Sequence, residues 1–328
     1  MSAAADLGRL VLTELRRLRS RRVALVSGIV LLVAVGLFQL DVADEVTPPS
    51  SAEVAQQQTY FDQAHAEWEQ QHAAQEKDCV DSGNPAEECA WPEPTPADYS
   101  LTATAFADIG PSAVSLSAYL TLLAAFVVGA SFIGAEYATG SLANWLTFVP
   151  RRLWVYSSKL LAVVLASAVA GAVVNFLMLG LVVAFTRLHG GGLTGLGTAA
   201  ATAGRAVPIA CLAGVAGYVF ALLTRHTVAA LGIALGYVVV SAVLSSIAAQ
   251  ADGPLGWLPP WLPENNVTAF LQHGSTYTQY VETVTEQGTS GDSIEKHLTF
   301  GHSAVYWLVL LVVAVVSAAL VFRRRDVT

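Results

Sequence analysis

Charged residues are scarce in this chain. They make up 13% of its 328 residues, while hydrophobic residues make up 54%. Because an average soluble domain contains about 25% charged residues, this balance excludes an ordinary soluble protein and indicates a membrane protein. The net charge of −8 is an average over two unlike sets of loops, so it says little about partners by itself.

Lysine is the scarcest of the charged residues, with Lys77, Lys159 and Lys296 in the whole chain. None of them follows a glycine, whereas a P-loop needs a Gly-Lys pair before its Ser or Thr to hold nucleotide phosphates. The chain therefore cannot hydrolyse ATP through a Walker motif. Any ATP-driven activity requires another protein.

Cysteine occurs three times. Cys79 and Cys89 fall in a segment predicted to lie outside the reducing cytosol, and a disulfide between them would contribute about 2.5–3 kcal/mol in the chain-entropy model. A metal pair is the alternative, but no third ligand lies at a suitable spacing, so we predict the disulfide and no metal site. Cys211 lies in an apolar run and is expected to be a small buried residue.

Long apolar runs dominate the rest of the sequence and predict an all-α polytopic membrane protein. Six of them approach or exceed the length of about 20 residues that a bilayer requires. They are 23–40, 113–135, 160–186, 203–223, 227–249 and 303–322. The first is not a cleaved signal peptide, because it is longer than an ordinary h-region and no clean cleavage site follows it.

The segments between these spans differ in character. They are a cytoplasmic amphipathic helix at 1–22, an extracellular insertion at 41–112, a cytoplasmic segment at 136–159, an extracellular loop at 250–302 and a cytoplasmic tail at 323–328. In the 250–302 loop, WLPPWLP places Trp at the membrane interface, where it is favoured. A re-entrant helical turn is allowed there if protein shields its backbone.

Charge placement predicts the orientation. Thirteen of the 17 Lys and Arg residues fall in segments that six spans place on one side. The other side is acidic, with 15 Asp and Glu against one Lys from Asp41 to Asp108 and six against one from Asp252 to Lys296. By the positive-inside rule both termini are cytoplasmic. The acidic exterior argues against nucleic-acid binding there.

Ionisable residues are nearly absent from the centres of the spans, and Glu136 and Arg205 lie near span ends. Proton and sodium carriers place such groups at membrane depth despite a cost of about 2.5–3.5 kcal/mol each, so ion-coupled transport is disfavoured. Asn175 is the clearest central polar residue, and an interhelical hydrogen bond is favoured for it over substrate binding.

Residues 4–22 are predicted to form an amphipathic helix, because Leu7, Val11, Leu15 and Leu18 recur at helical spacing among arginines. A basic amphipathic helix that leads into a span suits the cytoplasmic membrane surface. A basic leader that only sets the topology is the alternative.

The insertion begins with Ser50 and Glu53, which match a capping box and predict the start of a helix. Val54, Phe61 and Trp68 follow at intervals of seven and predict one long helix with a narrow apolar stripe. A stripe of this kind needs cover from the membrane domain, a second copy or a partner. The Pro-rich piece at 91–96 should be extended.

Two histidines of this helix, His65 and His72, lie seven residues apart and on nearly the same face. A pair without a third ligand is more often solvated than bound to metal, so no metal site is predicted here.

The break between the second and third spans carries the most pattern in the chain. Its residues form an E-x-x-x-G-S-L motif followed by Pro-Arg-Arg and a lysine: Glu136, Gly140, Ser141, Leu142, Pro150, Arg151, Arg152 and Lys159. The motif resembles the permease subunit of type-2 ABC exporters, in which this segment forms the cytoplasmic coupling helix that meets the ATPase. The topology agrees over nearly the whole chain, although the insertion at 41–112 departs from the minimal family plan.

The resemblance implies a dimer of permease chains that works with a separate cytoplasmic ATPase. ATP and Mg would be bound by that subunit, and this chain would bind no cofactor. Glu136 would hold Arg151, Arg152 or a residue of the partner and so transmit a push. In the coupling helix, Trp145 and Phe148 would give an apolar edge that fills a groove on the ATPase.

Gly140 would permit the change of direction before that helix. The translocation path would run between the second and fifth helices, with Asn175, Gly232 and Gly236 as candidate residues; the Gly-x-x-x-Gly spacing allows close helix approach. The bare span faces favour an amphipathic or lipid-like cargo, exported from the cell membrane. The composition, rich in Arg, Ala and Val, is typical of a high-GC bacterium such as an actinomycete.

A second hypothesis from the sequence is a non-transporting membrane scaffold or sensor. In that case the extracellular insertion would bind a partner or a ligand. Association with an ABC ATPase separates the two hypotheses, because a scaffold has no need of one.

Overall fold

A computed structural model of the chain describes residues 3–99, 101–148, 151–248, 257–285 and 288–324. These ranges are mostly helical, as predicted. The elements in chain order are α1 (Ala3–Arg19), α2 (Arg22–Val46), α3 (Ser51–Asp81), α4 (Ala86–Cys89), α5 (Phe106–Ala138), α6 (Ser141–Phe148), α7 (Arg152–Leu188), α8 (Leu196–Thr224), α9 (Thr227–Ala248), α10 (Pro263–Gln272), β1 (Gly274–Thr285), β2 (Gly288–Thr299) and α11 (Phe300–Arg324).

Six of these helices, α2, α5, α7, α8, α9 and α11, are long and apolar enough to cross a membrane. This confirms the six predicted spans. The helices extend beyond the apolar runs that predicted them, since α5 ends at Ala138 and α7 begins at Arg152. The predicted loop 136–159 is therefore shorter in the structure, because Glu136 and Lys159 are both helical residues.

The chain divides into two compact units. The first comprises Met1–Leu37, Pro111–Gly180 and Gly197–Thr328, and the second comprises Phe38–Gly110 and Leu181–Leu196. The first unit holds most of the length of the apolar helices. The second holds the predicted insertion.

An apolar cluster draws together α1, α5, α6, α7, α8, α9 and α11 in the first unit. Among its aromatic members are Phe132 of α5, Tyr156 of α7, Tyr218 of α8 and Phe322 of α11. The Tyr156 hydroxyl donates a hydrogen bond to the backbone oxygen of Val315 over 2.9 Å, which satisfies its polar end inside the cluster. Packing of this kind fills the space between the helices and fixes which face each helix turns toward its neighbours.

Two helices approach each other to backbone contact at small residues. A Cβ placed on Gly129 of α5 would overlap the carbonyl oxygen of Gly214 in α8, and a Cβ on Gly217 would overlap that of Phe126. Only glycine fits at such positions, and small residues give membrane helices their closest packing. The sequence prediction placed close approach at Gly232 and Gly236 and did not anticipate this contact.

The structure differs from the prediction in the 250–302 loop, where a β-hairpin follows the short helix α10. β1 and β2 pair antiparallel, in a register that runs from Gly274 opposite Thr299 to Thr285 opposite Gly288. β1 is rich in Thr, Tyr and Val, and these residue types favour strands. The sequence prediction gave this segment no strands.

Helix α10 packs inward through Val267 and Leu271. These side chains contact Ala206 and Ile209 of α8. A 3₁₀ turn, Pro259–Trp261, precedes the helix. The loop thus contains a 3₁₀ turn, a short helix and the hairpin.

In the second unit, α3 begins with the predicted capping box. The backbone N–H of Ser50 donates to the Glu53 carboxylate over 2.7 Å, and the N–H of Glu53 donates to the Ser50 hydroxyl over 3.3 Å. Hydrogen bonding with the Ser50 side chain, and then with its backbone, lowers the pKa of Glu53 from its usual value. The reciprocal bonds satisfy two N–H groups at the helix end that would otherwise lack partners.

The apolar stripe of α3 is covered by the chain itself. The indole N–H of Trp68 donates to the Trp91 oxygen over 2.8 Å, and the Phe61 ring meets the Tyr99 ring edge-on at 5.7 Å. The backbone N–H of Trp91 donates to Glu76 over 2.9 Å. The segment from Trp91 to Tyr99 therefore covers part of the stripe, while no residue of α3 is fully buried.

The disulfide between Cys79 and Cys89 is present, with 5.6 Å between the two Cα atoms. It joins the end of α3 to α4. His65 lies 3.0 Å from a carboxylate oxygen of Glu93, and the ring of His72 stacks on Trp68 at 4.0 Å. Both histidines therefore have partners within their own unit.

Candidate functional site

The turn before α6 is made by a glycine. Gly140 has a φ of +66°, in the left-handed region that favours glycine. A Cβ there would meet no atom within 4 Å, so the backbone conformation rather than space favours glycine at this position. The chain leaves α5 through this turn and enters α6 at Ser141.

Helix α6 turns its apolar side toward its own chain. Leu142 is 1% exposed, and Trp145 packs partly buried against the same cluster. Among the side chains of α6 that the structure describes, those of Ser141, Asn144 and Thr147 are exposed. The face that another protein could meet in this part of the helix is therefore polar.

The sequence prediction gave the apolar edge of α6 to a groove on the ATPase, and of that edge Trp145 packs partly buried against its own chain. The guanidinium of Arg17 lies 4.3 Å from the centre of the Trp145 ring, which joins α6 to α1 by a cation–π contact. The Trp145 indole therefore contacts α1 of its own chain. The side chain of Phe148, like residues 149 and 150, lies outside the described residues.

Four charged side chains meet beneath α1 in what we term the buried charge cluster: Glu14, Arg21, Glu136 and Lys159. Lys159 Nζ lies 2.9 Å from Glu14 Oε2 and 2.8 Å from Glu136 Oε2. Arg21 Nη2 lies 3.0 Å from Glu136 Oε1. Lys159 thus bridges the two carboxylates, and Arg21 gives Glu136 a second cationic partner.

The cluster is closed off from solvent. The side chains of Glu14, Lys159 and Glu136 are 0%, 1% and 5% exposed, and that of Arg21 is 25% exposed. Each of the two carboxylates has a cationic partner, which burial of ionised groups requires. Arg17, whose side chain is 42% exposed, adds a further cation 3.7 Å from Glu14 Oε1. The Phe132 ring lies beside both cations, at 5.1 Å from Arg21 and 5.2 Å from Lys159.

Each member comes from a different part of the first unit. Glu14 belongs to α1, Arg21 lies between α1 and α2, Glu136 is close to the end of α5, and Lys159 is in the second turn of α7. Helices α1, α5 and α7 and the link between α1 and α2 are therefore joined at one point. Removing one partner of such a buried set costs about 3–5 kcal/mol, because the others stay buried and uncompensated.

The sequence contained a signal for Glu14 that the pattern analysis missed. Glu14 lies three residues after Val11 and four before Leu18, both of which are buried. It therefore falls on the apolar stripe of α1, where a carboxylate needs a cationic partner. The lysine that opens the third span is that partner.

Glu136 was expected to hold Arg151, Arg152 or a partner residue. Among the described contacts its carboxylate oxygens instead meet Lys159 and Arg21. Arg151 is exposed, with its guanidinium 5.7 Å from the Trp154 ring. The helical continuation of α5 and α7 explains the change, because it places Glu136 and Lys159 side by side within the packed unit.

The candidate path residues have different surroundings. Asn175 is fully buried, accepts a hydrogen bond from the Ser117 hydroxyl over 2.8 Å and donates to the Gly171 oxygen over 2.8 Å. It joins α5 to α7. Gly232 and Gly236 of α9 face open space, since a Cβ on either would meet no atom within 4 Å.

Comparison with known protein families shows which family the chain belongs to. The model of the family described as ABC-2 family transporter protein matches residues 10–327. The chain belongs to the ABC-2 transporter family. No curated protein and no solved structure shows a significant match to this permease.

The permease is accordingly a multi-pass subunit of an ABC transporter in the cell membrane. Members of the family are transport subunits that work with an ABC ATPase. Family membership therefore favours the transporter over the scaffold among the two hypotheses from the sequence. It also agrees with the absence of a Gly-Lys pair from the chain.

Proposed function

We propose that the permease forms a dimer and exports an amphipathic or lipid-like cargo, driven by a separate cytoplasmic ATPase that binds ATP and Mg. Motion of the ATPase is transmitted first to α6 and then, through the buried charge cluster, to the membrane helices. The observation that carries the proposal is the bridge from Lys159 to Glu14 and Glu136, which joins the helices on both sides of α6 to the N-terminal helix.

A rigid connection supports this route. A push on α6 is transmitted only if the helices around it cannot slide independently, and a packed interior is stiff. Leu142 anchors α6 in the apolar cluster, and Arg17 holds Trp145 to α1. The helix therefore has two fixed points, and its polar residues remain exposed for contact with the ATPase.

The exposed surface of α9 supports both the dimer and the cargo class. In its most apolar stretch 11% of the residues are buried within the chain. Its open apolar residues include Leu235 and Val239, at 67% and 58% exposure. Such a surface needs lipid, a second copy or an amphipathic molecule against it.

Site-directed photo-crosslinking tests the route. In a Cys211→Ala background, Thr147→Cys on the exposed face of α6 carries a thiol-linked benzophenone. The permease is purified under mild conditions from its own membrane, so that its ABC ATPase copurifies. We expect light to crosslink position 147 to the ATPase, because α6 contacts it.

Thr59→Cys is the matched control, since Thr59 is also exposed but lies on α3, on the predicted external side. We expect no crosslink to the ATPase from this position. A crosslink from position 59 and none from position 147 would refute the route through α6, and failure of any ATPase to copurify would refute the transporter proposal as a whole.

A further inference from the structure

The first residues of α10 place a carboxylate against α9. The Tyr237 hydroxyl donates to Glu264 Oε2, and the Ser245 hydroxyl donates to Oε1 over 3.4 Å. Tyr237 and Ser245 lie eight residues apart on α9, so Glu264 reaches along two turns of that helix. The carboxylate is thereby positioned beside a membrane helix and not in the loop.

The position of Tyr237 along α9 indicates how far from the end of that helix the Glu264 carboxylate reaches. It is the central residue of α9, 11 residues before the helix ends at Ala248. At 1.5 Å per residue the end of the helix is about 16 Å away. The contact with Ser245 lies three residues before that end, so the Glu264 carboxylate lies against the last three turns of α9, in the half that is predicted to be external. Ionisable groups at such depth are rare and indicate a functional site.

The Glu264 carboxylate lacks a cationic neighbour within the described parts of the chain. No lysine, arginine or histidine nitrogen of these residues lies within 4.0 Å of it. The buried charge cluster, by contrast, pairs every carboxylate with a cation. A carboxylate that keeps hydroxyl donors but no counter-charge provides a place for an external cation.

Aromatic side chains surround this corner. Tyr237 is 39% exposed, and Trp261, three residues before Glu264, is 55% exposed. The Tyr306 hydroxyl of α11 donates to the Trp261 oxygen over 3.1 Å, which brings a third ring to the same region. Rings of this kind attract ammonium groups through their faces. A divalent metal would instead require many more oxygen ligands.

We propose that Glu264 and the Tyr237 ring bind the ammonium group of an amphipathic molecule within the depth of the membrane. The carboxylate supplies the opposite charge, the ring supplies a cation–π face, and the exposed apolar surface of α9 accepts the hydrocarbon chain. The inference rests on the proposed function in one respect, namely that the bound molecule is the cargo. Its ammonium group could belong to a soluble cationic amphiphile or to a phosphatidylethanolamine headgroup.

Binding to the permease alone tests the site. The full chain is placed in nanodiscs of phosphatidylglycerol, and binding of radiolabelled dodecyltrimethylammonium is measured by scintillation proximity. We expect Glu264→Gln to weaken the binding of this cationic probe about tenfold. Dodecyl sulfate, which carries the same hydrocarbon chain on an anionic headgroup, is the comparison ligand. Glu295→Gln, the same change at an exposed residue of β2, should leave binding unchanged.

A second pair of variants separates the ring from the hydroxyl. Tyr237→Phe keeps the ring and should bind the cationic probe within threefold of wild type, whereas Tyr237→Leu should lose about fivefold. This pair also tests the site if Glu264→Gln does not fold. Equal binding of the cationic probe by wild type and Glu264→Gln, or by the Phe and Leu variants, would overturn the site.

Competition identifies the source of the ammonium group. Displacement of the probe by phosphatidylethanolamine in the nanodisc indicates a lipid headgroup, and no displacement indicates a soluble amphiphile; both agree with the site. The test needs no ATPase. Selective binding without copurification of an ATPase would therefore overturn the proposed function alone, and copurification without selective binding would overturn this inference alone.

Discussion

Lys159 Nζ donates a hydrogen bond to Glu14 Oε2 over 2.9 Å, although 145 residues separate them along the chain. Their side chains are 1% and 0% exposed. The contact joins the third predicted span to the amphipathic N-terminal helix. That helix is accordingly ion-paired into the membrane unit, which a basic leader that only sets topology would not require.

Lys159→Met should destabilise the permease by about 3–5 kcal/mol. Methionine fills a similar volume but leaves the carboxylates of Glu14 and Glu136 buried with less compensation. Denaturant unfolding in detergent, followed by tryptophan fluorescence, measures the change. Lys296→Met is the matched control and should change stability by less than about 0.5 kcal/mol, because Lys296 is exposed. Equal effects of the two would show that the bridge contributes nothing specific.

Gly217→Ala should destabilise the permease by about 1–3 kcal/mol, because its Cβ would overlap the Phe126 carbonyl oxygen and force α5 and α8 apart. Gly232→Ala is the control on an open helix face, where alanine should stabilise by up to about 1 kcal/mol through its better helix propensity. Thermal unfolding of the two variants gives the comparison. A tolerated alanine at position 217 would contradict the backbone contact.

Ser117 and Asn175 should show a coupling energy of about 0.5–1.5 kcal/mol in a double-mutant cycle. Their hydrogen bond lies inside the first unit between α5 and α7, and bonds of this kind in membrane proteins fall in that range. The cycle uses Ser117→Ala, Asn175→Ala and the double variant, measured by unfolding. Additive effects would mean that Asn175 acts through other contacts, for example with a cargo.

The N-terminal turn of α3 should lose protection as the pH falls. The pKa of Glu53 is lowered by hydrogen bonding with Ser50, so the folded state binds the proton less tightly than the unfolded state. The stabilisation is therefore complete above the usual pKa of a glutamate and is lost as pH falls through the lowered value. Hydrogen exchange of this turn, corrected for intrinsic rates, measures the effect.

Glu53→Gln provides the reference for this pH dependence, because glutamine keeps acceptor capacity but does not titrate in this range. Wild type should be better protected near neutral pH and approach the variant in acid. An identical pH profile for both would show that the carboxylate has no part in the cap.

Features that depend on nearby residues could be predicted from the sequence. The capping box at Ser50 and Glu53 was recognised from four adjacent positions, and the disulfide from two cysteines ten residues apart. The hairpin has no such signal, because apolar and polar residues do not alternate regularly along β1. Periodicity is a strong signal for long apolar helices and a weak one for a short exposed pair of strands.

The inward orientation of Trp145 could not be predicted in the same way. A short helix with one apolar edge fits a partner's groove and its own chain's core equally well by pattern alone. The choice follows from Arg17, which lies over the indole ring, and from Leu142, which is buried in the cluster. Both contacts depend on how α1 and α6 pack.

By itself, the sequence determined the class of the protein, the number of its membrane-length helices and the cap of α3, because apolar run length and caps are local properties. Only the tertiary structure decided that Glu14 meets Lys159 and that Glu264 lies against Tyr237. Such pairs depend on which helix faces meet, and that is set by packing of the whole unit rather than by any stretch of the chain.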